Sequence, residues 1–195
     1  MRRKYRLKRR AERQEKTRSR IVEATVDLHC TIGPARTSIL AIAERACVER
    51  PTVYRHFPTL DSLFTACSSH LWSKNPPPDP ELWLEIEDPE ARLRRGLGEL
   101  YTFYSRHESS LWNILRDLED VPELRKFAAH RVKHRERVRE VLASAWDHPG
   151  RGRHLVLAAI GHAIDFFAWR SLHRQQLTDK EIIELMIGVI PKRSV

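Results

Sequence analysis

Apolar residues recur every three or four positions in segment after segment of this chain, and prolines or glycines separate the segments. Such spacing places the apolar side chains of each segment on one face of an α-helix. No segment shows the alternation of apolar and polar residues that is typical of a half-buried β-strand. The pattern therefore predicts an all-α fold with a small N-terminal unit followed by a larger helical body.

Four helices are expected before the proline-rich stretch at residues 75–80, which cannot continue a helix. The first has apolar residues from Ile21 to Ile32 and ends at Gly33-Pro34. Thr37 is the predicted N-cap of a short second helix, and Asp61 is the predicted N-cap of a longer fourth helix. The third is expected over about Arg50–Phe57.

The body is expected to begin a helix at Asp88-Pro89-Glu90, where an aspartate cap precedes a proline at the first helical position. A shorter element over 108–118, a charged helix over 120–146 that ends at His148, and a very apolar helix over 153–172 follow. Thr178–Glu181 matches a capping box that starts the last helix. The aromatic residues expected in the core are Trp83, Tyr101, Tyr104, Trp112, Phe127, Trp146, Phe166 and Trp169.

The positive charge of the chain is confined to its first twenty residues. The formal net charge is +9, and residues 1–20 hold eleven Lys or Arg against two Asp or Glu, so the remaining residues are balanced. We interpret residues 1–16 as a basic flexible arm that attracts polyanions. Tyr5 and Leu7 offer too little apolar surface to anchor a membrane helix, which favours nucleic acid. A solubilising tail is the alternative interpretation.

Membrane, secreted and metal-bound classes have no support in the sequence. No uncharged apolar run approaches the roughly 18 residues of a membrane span, and the first twenty residues contain no apolar signal region. The three cysteines have no CxxC spacing, so a reduced, cytoplasmic protein is expected. His130 and His134 have a metal-compatible spacing, but the cations around them favour a solvated face, and neither a metal nor another cofactor is expected.

Two short helices joined by a tight turn, Thr37–Arg45 and Arg50–Phe57, have the dimensions of a helix-turn-helix. The apolar residues that would hold them together are Ile39, Ile42, Val48, Val53 and Phe57. The small, hydroxylated and cationic side chains left on the second helix suit a helix that lies in a DNA major groove.

The stretch from Arg20 to Ala66, which includes the run Thr52-Val-Tyr-Arg-His-Phe-Pro58, resembles the tetracycline-repressor (TetR) family of bacterial regulators. The resemblance covers about a quarter of the chain. It implies a three-helix DNA-binding head over residues 17–60. It further implies a connecting helix and a helical ligand-binding body over 61–195, which dimerises through its last two long helices.

The resemblance also implies which residues contact DNA. Thr37, Ser38, Tyr54 and His56 would contact phosphates, which set the register and salt dependence of binding. The residues that would approach base edges are Arg50, Pro51, Thr52 and Arg55.

Three residues depart from the family pattern. Cys47 stands where the turn usually has glycine, and we expect it to be forced to a positive φ. Glu49 replaces a hydroxyl-bearing N-cap, and Leu60 replaces a common lysine. Residues 21–67 then carry a net charge of −1, so the hypothesis is that the basic arm supplies the attraction to DNA that the head lacks.

The resemblance implies the function of a homodimeric transcriptional repressor. It would bind an inverted-repeat operator, and a small-molecule inducer would release it from the operator. The alternative is a ligand-independent or architectural DNA-binding protein. An enzyme is disfavoured, because the chain contains no phosphate loop, nucleophile elbow or metal-ligand cluster. His162 and Asp165 interrupt the most apolar helix and are compatible with a pocket, a dimer contact or a structural pair.

Overall fold

The computed structural model describes residues 2–146 and 149–191, and it describes the side chains of all of these except 2–4 and 125–127. Every regular element in this part of the chain is helical, which confirms the all-α prediction. The chain forms two compact units. The N-terminal unit contains the residues up to Pro76 together with Ser109–Ala128, and the C-terminal unit contains Pro77–Glu108 and the chain from Ala129 onward.

The described residues form α-helices and three short 3₁₀ helices. The α-helices are α1 (Arg2–Thr31), α2 (Ile39–Arg45), α3 (Arg50–His56), α4 (Leu60–Lys74), α5 (Pro89–Arg116), α6 (Arg125–Ala143), α7 (Arg151–Ala163), α8 (Phe166–His173) and α9 (Asp179–Gly188). The 3₁₀ helices are Pro34–Arg36, Pro80–Trp83 and Pro122–Leu124. Predicted features at His148, at Met1, at residues 192–195 and at the side chain of Phe127 lie outside what the structure describes.

The N-terminal unit has one apolar core beneath α1–α4. Its members come from all four helices and from the turn between α2 and α3, so the four helices share one core. The buried residues of this core are Ile21, Val22, Ala24, Ile42, Ala43, Ala46, Val53, Phe57, Leu63 and Cys67. The unit extends beyond the 17–60 predicted for the helix-turn-helix domain, because α4 and residues 109–128 belong to it.

Two predicted N-caps are wrong by one or two residues. Ser38, not Thr37, caps α2, since its side chain accepts a hydrogen bond from the amide of Ala41. Thr59, not Asp61, caps α4 in the same way through the amide of Ser62. Ser38 and Thr59 each directly precede the first residue of their helix and have the extended backbone that a cap requires. Asp61 instead lies in the first turn of α4.

The predicted basic arm differs in conformation from the structure, in which its described residues are the first half of α1. The helix runs without interruption through Arg2–Thr31. Residues 1–16 contain no glycine, proline or β-branched residue, and their arginines, lysines, glutamates and alanine are good helix formers. Helical propensity therefore outweighs the mutual repulsion of the cations.

The C-terminal unit has an aromatic core around α5, α7 and α8. Tyr101, Phe166 and Trp169 are almost fully buried, as predicted. The Tyr101 hydroxyl donates to the carbonyl of Ala163 (2.9 Å), and the Tyr104 hydroxyl donates to that of Ile164 (2.7 Å). Both tyrosines thus satisfy carbonyls at the end of α7, which would otherwise be unpaired in an apolar core.

The predicted apolar helix over 153–172 is two helices, α7 and α8. Asp165 causes the break, because its carboxylate accepts hydrogen bonds from the amides of Phe167 and Ala168 and so caps α8. It also forms an ion pair with Arg135 (2.9 Å). The structural interpretation of Asp165 is therefore the one the structure supports, while His162 is exposed.

No single helix among the described residues combines the length and apolar composition of a membrane span. Only α7 and α8 together reach that composition, and they are bent by 57° at the break between them.

Candidate nucleic-acid interface

Helices α2 and α3 are joined by a turn over residues 46–49. The amide of Val48 donates to the carbonyl of Ala43 (2.9 Å), and the amide of Cys47 donates to that of Glu44 (3.1 Å). This return of the chain over the end of α2 requires a positive φ, and Cys47 adopts 51°. The expected positive φ at this position is confirmed, and a β-carbon is disfavoured in this left-handed region.

Helix α3 is anchored on one side and free on the other. Val53 and the following Phe57 are buried in the core of the N-terminal unit. The opposite side exposes Arg50, Pro51, Tyr54 and Arg55, while Thr52 and His56 are half-buried. The six residues predicted on this helix therefore share one accessible surface, which we call the recognition surface.

The recognition surface is short of formal positive charge. Arg50 and Arg55 are its two arginines, and Glu49 precedes them at the N-cap position without making a side-chain capping bond. Leu60, which stands in place of a common lysine, is exposed at the start of α4. Such a surface is suited to reading base edges but attracts the phosphate backbone weakly.

The two remaining predicted phosphate contacts lie before α2. The Ser38 hydroxyl accepts from the amide of Ala41 (3.1 Å) and keeps its own proton free to donate. The Thr37 hydroxyl donates to the carbonyl of Gly33 (2.8 Å), so it offers an incoming phosphate less than Ser38 does.

Residues 2–20, which we call the basic half of α1, come into contact with the C-terminal end of α3 through Arg18. The guanidinium of Arg18 lies 4.9 Å from the centre of the Phe57 ring. Burial, and then the charges of Arg55 and Arg18, lower the pKa of His56 below its ordinary value. The contact between Arg18 and Phe57 was not predicted, because no local spacing relates residues 39 positions apart.

The last turn of α1 is held by residues from far along the chain. The Asn113 side chain donates to the carbonyls of Cys30 (2.9 Å) and Thr31 (3.0 Å). Asp117 accepts from the amide of Ala35 (3.0 Å) and from Arg116 (2.8 Å). Burial by itself raises the pKa of Asp117, but these hydrogen bonds outweigh it and hold the pKa below its usual range.

Gly33 makes this arrangement possible. It has a φ of 95°, and a β-carbon there would clash with the side chains of Arg116 and Asp117. Glycine is therefore required both for the backbone and for the close approach of residues 113–117. Within the described residues, no group of three His, Cys, Asp or Glu is arranged to hold a metal ion.

Part of the N-terminal unit is similar to known proteins. Residues 21–67 match the model of bacterial regulatory proteins of the tetR family. Over 61 residues, or 31% of the chain, the sequence is 43% identical to the HTH-type transcriptional repressor Rv3405c of Mycobacterium tuberculosis. This match spans about a third of that relative, 32% of its length.

Two solved structures have the same overall fold. A TetR-like transcriptional regulator from Rhodococcus sp. RHA1 aligns with a TM-score of 0.60 at 19% identity, over 89% of this chain and 93% of that one. NalD, the secondary repressor of the MexAB-OprM multidrug efflux pump in Pseudomonas aeruginosa, aligns with a TM-score of 0.60 at 22% identity. That alignment covers 94% of this chain and 100% of NalD.

Proposed function

The chain is a member of the TetR family of bacterial regulators, as its residues from Arg20 to Ala66 predict, and from that premise we propose that it is a sequence-specific, DNA-binding transcriptional repressor. The single observation that carries the proposal is the recognition surface: α3 is anchored by two buried residues, Val53 and Phe57, and exposes both of its arginines on the opposite side. A helix held in this way has the geometry for insertion into a major groove.

The proposed roles divide between backbone and bases. Ser38, Tyr54 and His56 contact phosphates, with Thr37 as a weaker contributor. The base-reading residues are Arg50, Pro51, Thr52 and Arg55. The basic half of α1 adds sequence-independent attraction, and its contact with the end of α3 through Arg18 supports a common binding face.

The repressor is proposed to act as a homodimer in the cytoplasm. The C-terminal unit leaves large apolar side chains exposed on α7, α8 and α9, and burial of such side chains against a second copy favours association. The exposed residues are Leu155, Phe167, Leu185 and Val189. Two-fold symmetry then requires an inverted-repeat operator.

Sedimentation analysis tests the dimer. The double variant Leu185→Lys with Val189→Lys should sediment as a monomer, because it places charge on the proposed interface of α9. Leu82→Lys is the control, since Leu82 is even more exposed but lies outside these helices. A dimer that survives the double variant would contradict the interface.

Release by an inducer is the last part of the proposal. A small molecule that binds the helical body more tightly in a conformation unable to span two half-sites lowers the affinity for the operator. Screening a compound panel for release of the protein from its operator duplex tests this step. A panel without any active compound would favour the ligand-independent alternative.

Selection of bound duplexes from a random DNA pool at ~150 mM salt tests the main proposal, because this salt suppresses purely electrostatic binding. We expect enrichment of an inverted repeat. Binding that occurs only at low salt, without an enriched sequence, would overturn the specific regulator. It would favour an architectural protein that binds through the basic half of α1.

A further inference from the structure

The short helix before α2 is capped by a residue 82 positions further along the chain. The 3₁₀ helix Pro34–Arg36 begins after Gly33, which has no side chain and so cannot cap it. The missing acceptor comes from Asp117, whose Oδ2 atom accepts a hydrogen bond from the amide of Ala35 at 3.0 Å. Because the first amides of a helix have no partner inside it, an external acceptor of this kind acts as an N-terminal cap.

The Asp117 carboxylate has a fixed position. Asp117 is only 4% exposed, and its Oδ1 atom accepts from Nε of Arg116 at 2.8 Å. Arg116 also donates to the carbonyl of Ile32 (3.1 Å) and to the side chain of Asn113 (3.1 Å). Oδ1 therefore serves the arginine, and Oδ2 serves mainly the 3₁₀ helix.

The capped helix leads directly to the two predicted phosphate contacts before α2. The amide of Thr37 donates to the carbonyl of Pro34 (3.1 Å) and closes the 3₁₀ turn. Ser38 follows, caps α2 and is exposed. Ala35 lies only three residues before Ser38, so a shift of the Ala35 amide would move the hydroxyls of both predicted contacts.

We propose that Asp117 is a positioning residue for DNA binding, which caps the 3₁₀ helix and thereby holds Thr37 and Ser38 where they meet the phosphate backbone. The inference rests on the proposed function, since it concerns how the proposed phosphate contacts are held. Asp117 is buried and negative, so it makes no contact with DNA itself. It acts by limiting the conformations that the segment would otherwise lose when DNA binds.

A purely structural role for Asp117 predicts a different result. Such a role would lower the stability of the free protein and leave the affinity of the folded protein nearly unchanged. A positioning role makes the effect of Asp117 on affinity depend on Ser38. Residues that act through one another give non-additive losses, whereas independent residues give losses that multiply as factors in the affinity.

A double-variant cycle between Asp117 and Ser38 separates the two roles. Affinity for the duplex enriched by selection is measured at a temperature at which every variant is folded. Asp117→Ala and Ser38→Ala should each lower this affinity roughly 30-fold, because each protomer of the dimer loses one hydrogen bond to DNA. The variant with both substitutions should bind about as weakly as either single variant, since a displaced Ser38 has little contact left to lose.

Val22→Ala is the control for stability. Val22 is buried in the core of the N-terminal unit, so its truncation lowers stability without removing a hydrogen bond of the 3₁₀ helix. In this background Ser38→Ala should still lower affinity by the full 30-fold or so.

Asp117→Asn is the second variant for the cycle, because it keeps the size of the side chain and leaves no space in the packing. An amide has one acceptor oxygen, so it cannot serve both Arg116 and Ala35. The same non-additive result with Ser38→Ala is therefore expected. If Asp117→Ala does not fold, this variant carries the test alone.

The free protein provides a readout that needs no DNA. Hydrogen exchange of the Ala35 amide should be at least roughly 10-fold faster in Asp117→Asn than in the wild type, because the amide loses its acceptor. The Ile42 amide, which donates to the carbonyl of Ser38 within α2, is the internal reference. The Ala35 rate should rise relative to the Ile42 rate.

Several results would overturn the proposal. These are losses that multiply in the double variant, wild-type affinity in Asp117→Asn, and unchanged relative exchange of the Ala35 amide. Wild-type affinity in Ser38→Ala would also overturn it, because there would be no contact to position. Failure of the proposed function would appear separately, as a selection without an enriched duplex.

Discussion

The recognition surface on α3 and the basic half of α1 differ most in how much positive charge they carry. Residues 2–20 hold eleven Lys or Arg against two acidic residues on a long, regular helix. The recognition surface has two arginines, is preceded by Glu49, and belongs to a helix of seven residues fixed by buried neighbours. One region can attract any polyanion, and the other can present a defined pattern to base edges.

The difference indicates a division of labour between affinity and specificity. Attraction to the phosphate backbone is independent of sequence and falls steeply with salt, while contacts with base edges discriminate between sequences and depend less on salt. In the proposed complex with DNA the two contributions come from separate segments of sequence. Substitutions can therefore alter one and leave the other nearly unchanged.

The largest effect is expected from neutralising the basic half of α1. The triple variant Arg6→Gln, Arg9→Gln, Arg10→Gln retains helix-forming residues and removes three exposed charges. Loss of three phosphate contacts in each protomer of the dimer should lower affinity for every duplex by at least roughly 100-fold at ~150 mM salt and reduce the salt slope by about 5. Titrations at several salt concentrations, with enriched and random duplexes, measure both quantities.

A matched control separates the position of the charge from the net charge. The variant Arg106→Gln, Lys133→Gln, Arg153→Gln removes three exposed charges from the C-terminal unit. It should retain the wild-type salt slope. Equal losses in the two triple variants would mean that net charge alone attracts DNA, and the basic half of α1 would then have no special role.

A smaller effect, and one mainly on the enriched duplex, is expected from Arg50→Ala. A bidentate contact with a base contributes about 1–3 kcal/mol of discrimination, so the enriched duplex should bind roughly 30-fold more weakly while random duplexes change little. Arg45→Ala is the control, because Arg45 is an exposed arginine of α2 that pairs with Asp27 at 2.6 Å. An equal loss on random and enriched duplexes would make Arg50 a phosphate contact and weaken the comparison.

The turn before α3 should give a stability effect of about 1 kcal/mol. Cys47 has a φ of 51°, and glycine adopts this conformation without the steric cost of a β-carbon. Cys47→Gly should therefore raise the melting temperature by roughly 2–4 °C, whereas Cys47→Ala should not. If both variants have the same melting temperature, the backbone of the turn is not strained at Cys47. The position of α3 then has no cost in backbone strain.

Local patterns account for what could be predicted of this fold. The buried face of α4, with Leu63 and Cys67, follows from helical spacing. The capping box of Thr178 and Glu181 forms as its spacing predicts, and the positive φ at Cys47 follows from the family pattern. Each of these features depends on residues within one or two turns of each other, which is the range over which sequence spacing determines geometry.

The remaining features depend on contacts between distant residues or on competing local effects. Asp165 looked like a polar interruption of one helix, but its capping of α8 divides that helix in two. Asp117 lies 82 residues from Ala35, and no spacing relates them. His29 of α1 packs on Phe64 of α4 with ring centres 4.7 Å apart, and no spacing relates residues 35 positions apart.

The smallest expected effect concerns His56, which lies where the two regions meet. Burial and the charges of Arg55 and Arg18 lower its pKa in the free protein, and a bound phosphate would raise it again. The complex then holds more protons than the free protein, so affinity for the enriched duplex should rise by a fewfold as the pH falls from 7.5 to 6. His56→Gln should abolish this increment.

Protonation of His56 has opposite effects on the stability of the free protein and on its affinity for DNA. The pH dependence of binding can therefore be separated from that of unfolding. Because the pKa of His56 in the folded head lies below its unfolded value near 6.5, the folded state binds fewer protons and loses stability as the pH falls through that range. General acid destabilisation would therefore weaken DNA binding, whereas protonation of His56 against a phosphate strengthens it. Affinity that falls with pH, or that rises equally in His56→Gln, would remove His56 from the phosphate contacts and leave the basic half of α1 as the chief source of backbone attraction.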